Sequence, residues 1–248
     1  MTDANPLRQP LAAAAQTLGL SLSDSQLDQL LSYLGLIQKW NKVYNLTAVR
    51  DPQAMLVQHL VDSLSLLPAL RRHAAGKPSS PSQGCSQEGL GSLGGQAAYS
   101  QTGGSHLRLM DVGSGGGLPG VVVAICEPTI DVTCVDAVAK KATFIKQVAA
   151  ELGLKNLHGE HARVEQLSAA PFDLITSRAF ASLLDFTTLT RQHLKPGAIW
   201  LAMKGQHPAD ELAALQNQAQ DLDVFHVEQL LVPGLDAQRC LIWIKPRV

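Results

Sequence analysis

Asp111-Val112-Gly113-Ser114-Gly115-Gly116-Gly117-Leu118-Pro119-Gly120 is the stretch on which the reading of this chain turns. It stands at the end of a first strand, Leu107–Val112, and at the start of a helix. A strand that ends in glycines and passes into a helix can turn tightly and bring backbone close to a ligand, and the helix start offers free N–H groups. A nucleotide-like ligand is expected across this loop.

Two frames fit within it. Gly115-x-Gly117-x-x-Gly120 has the spacing of a dinucleotide loop, with Asp136 as ribose acceptor at the end of the next strand. The overlapping frame Asp111-x-Gly113-x-Gly115-x-Gly117 instead puts a carboxylate at the strand end. That charge suits the sulfonium and ammonium of S-adenosyl-L-methionine better than a pyrophosphate, so Asp111 favours the second frame. Asp136 serves the ribose hydroxyls in either frame. Its alternative role is to cap the helical run that starts at Val138.

Outward from the loop, strand and helix alternate. Leu107–Val112, Asp131–Asp136, Asn156–Glu160, Phe172–Ser177 and Gly197–Lys204 read as short buried strands, with helical runs such as Val138–Leu152 and Ala181–Leu194 between most of them. The pattern predicts an α/β fold, a Rossmann-like, mostly parallel sheet with helices on both faces. Asp223–Val232 and Arg239–Lys245 flank the turn Pro233-Gly234-Leu235-Asp236 and predict a C-terminal antiparallel hairpin at the sheet edge.

The amino-terminal part has another texture. After a Ser23 cap, Leu27, Leu30, Leu31, Leu34 and Ile37 recur at helical spacing; Asp51-Pro52 opens a second helix through Leu67, with Pro68 marking its end. Of residues 76–105, 17 of 30 are Gly, Ser or Pro, too little apolar content to offset the entropy of ordering. The expected organisation is therefore a helical extension (1–75), a flexible insertion (76–106) and a cofactor-binding domain (107–248).

Composition bounds the function classes. The 248 residues are 46% hydrophobic and 17% charged, values of a globular chain and not of a disordered or collagen-like one. Four cysteines (Cys85, Cys126, Cys134, Cys240) show no C-x-x-C spacing, and no apolar run reaches the ~18 residues of a membrane span. A reducing, cytoplasmic setting is expected. His158 and His161 have no third ligand at metal-binding spacing, so no metal is expected.

Several dispersed stretches, taken with the loop, carry a resemblance: Trp40-Asn41-Lys42-Val43-Tyr44-Asn45-Leu46-Thr47-Ala48, His59-Leu60-Val61-Asp62-Ser63, Leu118-Pro119-Gly120, Arg163-Val164-Glu165, Ser177-Arg178-Ala179-Phe180-Ala181 and Lys204-Gly205-Gln206. In kind and order the chain resembles the GidB-like small-subunit ribosomal RNA methyltransferases, which methylate N7 of a guanosine in 16S RNA. The resemblance covers nearly everything except residues 76–105, where relatives are shorter. It implies S-adenosyl-L-methionine as cofactor, 16S ribosomal RNA or the small ribosomal subunit as partner, and no obligate protein partner. It also implies a cofactor pocket of Gly113, Leu118, Val164, Glu165 and Arg178, which Asp136 joins by its place in the fold.

The implied chemistry asks little of the protein. N7 of guanine carries a lone pair and no proton, so attack needs alignment and electrostatic support but no general base. Accordingly there is no Asn-Pro-Pro-Tyr motif for exocyclic amines and no Pro-Cys setting for C5 attack. Arg178, past a strand end, is the candidate for orienting guanine or cofactor with its planar fork. His59, Asp62 and Ser63 share one helical face by spacing and either line the cleft or tie the extension to the core. Asn41 and Asn45 either read RNA or shape the turn before Asp51, and Lys204 is a candidate phosphate contact.

Charge is uneven. The whole chain has 20 basic and 21 acidic side chains, a formal charge of -1, yet residues 207–236 hold six acids and no base, so the remainder sums to +5. A face built from Lys39, Lys42, Arg50, Arg178 and Lys204 is thus available to phosphate, with binding that weakens as salt rises.

Overall fold

The computed structural model describes residues 5–76, 107–178 and 180–247; the stretch 77–106, most of the expected insertion, lies outside them together with Cys85. The strands are β1 (Leu107–Val112), β2 (Ile130–Asp136), β3 (Leu157–His161), β4 (Phe172–Arg178), β5 (Leu194–Lys204), β6 (Leu222–Gln229) and β7 (Cys240–Pro246). They form one sheet in the order β3-β2-β1-β4-β5-β7-β6. The first five are parallel, Leu109 lying between Val132 of β2 and Leu174 of β4, and β7 runs antiparallel between β5 and the edge strand β6.

Alternation within the strands divides the core into two layers. Leu109, Leu174, Ile199 and Leu201 face one way and Met110, Ile175, Trp200 and Ala202 the other, as a period of two requires. The first face is covered by α1 (Arg8–Thr17), α2 (Asp24–Tyr44), the helical run from α3 (Pro52–Met55) to α4 (Asp62–Leu64), α5 (Leu67–Gly76), α6 (Gly120–Cys126) and α7 (Ala139–Leu152). The second lies under α8 (Leu183–Thr190) and α9 (Ala209–Gln218). Because both faces are covered, β1 and β2 are buried along most of their length, the polar Asp111 and Thr133 included. The amino-terminal helices share one uninterrupted core with the sheet, from Leu7 to Trp243.

Local chemistry sets the helix ends that matter. α2 starts in a capping box: Ser23 Oγ accepts from Gln26 N–H at 3.2 Å and Gln26 Oε1 accepts from Ser23 N–H at 3.0 Å. It ends where Asn45 adopts the left-handed conformation, φ +49°, which asparagine tolerates better than most residues. Between α3 and α4 the helix widens into a π-helical stretch, Leu56–Val61. Pro68 does not end this run. The chain breaks at Ser65–Leu66 and Pro68 lies in the first turn of α5, where a missing N–H costs no hydrogen bond. The acid-rich stretch 207–236, read from sequence only as charge, contains α9 and β6.

The connections place the site. From β1 the chain moves outward to β2 and β3, then crosses back to β4 on the other side of β1 and continues to β5. The carboxyl ends of β1 and β4 therefore flank the crevice in which open α/β sheets bind ligands.

Candidate active site

Three side chains hold the glycine loop. Asp136, at the end of β2, accepts from Gly115 N–H at 3.0 Å. Tyr33, from α2, donates its hydroxyl proton to Gly116 O at 2.6 Å. Asp111 accepts from Gly120 N–H at 2.8 Å. Gly113, Gly115 and Gly117 have φ of +66°, +59° and +90°, conformations other residues adopt only with strain. A Cβ at Gly113 would stand 2.6 Å from the Phe180 ring, one at Gly117 2.4 Å from Val121, whereas at Gly115 and Gly116 no atom lies within 4 Å. The loop is thus packed at both ends and has open space at its crown.

Over the ends of β1 and β2 lies a slot of about 330 Å³ lined by Gly113, Asp136, Arg163, Val164, Glu165 and Phe180, with Val112, Val135 and Leu189 supplying apolar walls. Val164 and Glu165 are tied in place by their carbonyls, which accept from His193 Nε2 at 2.7 Å and Gln192 Nε2 at 3.0 Å. Asp136 also accepts from Val138 N–H at 2.9 Å, a bond two residues on that steadies the turn before α7; the N-cap of α7 is Val138, whose side chain makes no capping bond, so the expected helix cap is not formed by Asp136.

Beside it, over β4 and β5, is a cleft of about 390 Å³ lined by Gln58, His59, Asp62, Arg178, Lys204 and Arg239, among others. Its centre is Asp62, whose side chain is 2% exposed. Asp62 Oδ2 accepts from Arg178 Nη1 at 2.9 Å and Oδ1 from Arg239 Nε at 2.8 Å. Arg178 Nη1 also donates to Gln58 O at 2.7 Å. His59 is buried and shares a 2.9 Å hydrogen bond between Nε2 and Thr47 Oγ1. Burial, and then the Arg178 charge, hold its pKa below the ordinary histidine value, so the ring is neutral at pH 7.

Several expected site residues sit elsewhere than the spacing suggested. Asp111 has no exposed surface; it lies beneath the loop and lines neither cavity, because Gly120 N–H draws it inward. Burial raises its pKa to about 7. Leu118 is buried in the core and Gly117 packs on α6, so neither borders the slot. Asn41 is buried and accepts from Thr47 N–H at 3.0 Å, while Asn45 ends α2, so both shape the turn. Lys204 lines the cleft, but its ammonium is held 2.8 Å from Glu211 and 3.1 Å from Ala181 O. His158 pairs with Asp131 at 2.7 Å. Cys126 and Cys134 are buried, and burial pushes the Cys126 thiol up to about 12, far from a reactive thiolate.

Sequence reasoning missed Tyr33 and Arg239. Nothing in the spacing of either signals its role, since their partners lie 83 and 177 residues away.

The slot combines apolar walls with one carboxylate, that of Asp136, while Gly115 and Gly116 of the loop lie outside its lining. A dinucleotide fold would continue the sheet with a sixth parallel strand, where this one inserts the antiparallel β7. Sheet order, loop and slot together define a Rossmann-like, S-adenosyl-L-methionine-dependent methyltransferase. Comparison with known proteins narrows the class. Residues 26–76 and 95–241 match the family model GidB, rRNA small subunit methyltransferase G. The chain is 57% identical over 242 residues to the ribosomal RNA small subunit methyltransferase G of Acidovorax ebreus (strain TPSY), covering 97% of this chain and 96% of that one. It is 58% identical over 236 residues to the protein of the same name from Acidovorax sp. (strain JS42), covering 95% and 94%. Among solved structures, TrmN from Thermus thermophilus aligns with a TM-score of 0.47 and 17% identity, over 57% of this chain and 44% of that one. The chain belongs to the GidB family of small-subunit rRNA methyltransferases.

Proposed function

We propose that the protein transfers the methyl group of S-adenosyl-L-methionine to N7 of a guanosine in 16S ribosomal RNA. This reading is carried by two cavities on the carboxyl edge of the sheet, a slot of about 330 Å³ over β1 and β2 and an arginine-lined cleft of about 390 Å³ over β4 and β5. The cofactor, when bound, supplies an electrophilic methyl on a sulfonium. Everything else is the work of the chain. Asp136 and the Val164–Glu165 turn hold the nucleoside end, and the Gly113–Phe180 contact sets the floor on which it rests. Arg178 keeps N–H groups beyond those used on Gln58 and Asp62, and its fork can receive the O6 edge of guanine. The nucleophile carries no proton, so the neutral His59 at the cleft wall has no proton to remove and serves alignment.

The RNA approaches over the amino-terminal part. Lys39, Lys42 and Arg50 are exposed and have no ion pair among the described residues, whereas the charges of Arg178 and Lys204 are matched by Asp62 and Glu211. Residues 1–75 thus present substrate-facing charge to a cofactor-binding part, residues 107–248. No helix among the described residues is long and apolar enough to cross a membrane; a ribosomal RNA substrate is what supports a cytoplasmic location. The test is transfer of labelled methyl to 16S RNA and small subunits from cells lacking this protein, with transfer RNA alongside, followed by mapping of the modified base. Label at guanine N7 in 16S RNA is expected. Unchanged N7 methylation in such cells would overturn the reading.

A further inference from the structure

The glycine loop is held from outside the sheet as well as from within it. Asp111 and Asp136 belong to the strands that flank the loop, but Tyr33 belongs to α2, in the amino-terminal helical part. Its hydroxyl is fully buried and meets Gly116 O at 2.6 Å. The ring lies against Phe144 of α7 at 6.4 Å between centroids, so its direction is fixed by packing. Gly116 stands at the crown, where it and Gly115 have open space in place of a side chain. The orientation of the Gly116–Gly117 peptide is set by two hydrogen bonds, Tyr33 to its carbonyl and, on its other side, Gly117 N–H to Ser114 O at 2.8 Å.

We infer that Tyr33 is a positioning residue for the cofactor: with Ser114 O, its hydroxyl fixes the Gly116–Gly117 peptide, and through it the glycine loop whose first glycine, Gly113, lines the slot. This rests on the cofactor reading above. Loss of the hydroxyl leaves Gly116 O buried without its partner, and the loop must find that bond elsewhere before ligand binds. The effect falls on cofactor affinity, since Tyr33 borders neither cavity.

The substitution Tyr33→Phe removes one oxygen and keeps the ring. Gln29→Ala is the control. Gln29 stands one turn before Tyr33 in α2 and also reaches the body of the protein, but its Nε2 donates to Leu152 O at the end of α7, at 3.1 Å, and not to the loop. Adenosylhomocysteine binding to the full chain is measured by calorimetry, with methylation kinetics and thermal unfolding in parallel. Tyr33→Phe should raise the Kd for adenosylhomocysteine and the KM for S-adenosyl-L-methionine by about tenfold, with the KM for RNA unchanged. Gln29→Ala should lower the unfolding temperature and leave the Kd as it was. A Kd unchanged in Tyr33→Phe, or raised equally in both variants, overturns the assignment. If the unaltered chain binds no adenosylhomocysteine, the cofactor reading itself falls, a result distinct from either.

Discussion

Replacing Asp62 by alanine tests the construction of the arginine cleft. The substitution removes two charge-assisted hydrogen bonds, to Arg178 Nη1 at 2.9 Å and Arg239 Nε at 2.8 Å, each contributing about 1.5–3 kcal/mol. Breaking a fully buried pair costs about 3–5 kcal/mol. Here the carboxylate is buried, but the arginine side chains are 23% and 25% exposed, so water recovers part of their solvation. The expected loss is at the lower end, about 3 kcal/mol. At about 2–4 °C per kcal/mol for a chain of this length, Tm should fall by about 6–12 °C. Asp62→Asn retains the volume and one carbonyl acceptor and should lose less. Urea unfolding of the full chain gives the energies, and Arg239→Ala made in both backgrounds gives the coupling, expected at about 1–3 kcal/mol. Turnover should drop by about 100-fold through misplacement of Arg178, with adenosylhomocysteine affinity kept, since Asp62 does not border the slot. A variant within 0.5 kcal/mol of the parent, or strict additivity with Arg239→Ala, would refute the idea that Asp62 organises the cleft.

Gly113→Ala places a methyl 2.6 Å from the Phe180 ring at φ +66°. Because Gly113 and Phe180 both line the slot, relieving this clash reshapes its wall, and adenosylhomocysteine affinity measured by calorimetry should fall at least about tenfold. Asp111 makes stability depend on pH. Its folded pKa is about 7 against about 3.9 unfolded, so the folded state binds the extra proton. The contribution is full below about pH 4, is lost as pH rises through about 7, and amounts to a few kcal/mol. Asp111→Asn should flatten that slope in urea titrations and match or exceed the parent at pH 8; an unchanged slope would show that the carboxyl does not titrate there. Lys42→Glu with Arg50→Glu should weaken RNA binding and lower its salt dependence by about two in log-log slope, measured by filter binding, with cofactor affinity unaffected.

How far the chain could be read in advance depended on the distance over which each signal acts. The loop, the parallel strands and the hairpin are written in contiguous residues, so their existence and type were legible and their ends shifted by only a few positions, as with β5, which begins at Leu194. Proline punctuation was ambiguous: Pro68 could close one helix or open the next, and the choice rests on a break at Ser65–Leu66 that no local pattern marks. The position of Asp111 marks a strand-end carboxylate, but position along a strand says nothing of direction. The carboxylate turns inward because Gly120, 9 residues on, offers it an N–H.

The amino-terminal helices stand differently in space than along the chain. Read along the chain they are an extension that precedes the cofactor domain. In space, α2 contributes the hydroxyl that holds the loop crown and the α3–α4 run contributes the carboxylate that holds two arginines. The slot and the cleft each depend on a residue from before position 75, so a fragment starting at residue 107 should lose cofactor affinity and the ordered cleft together. Such a fragment would also expose the apolar face that Leu30, Leu34, Leu60 and Leu64 cover, a contiguous patch of the kind that drives association. The helices complete the core, and with it the site, because the sheet has no other cover on that side among the described residues except α6 and α7.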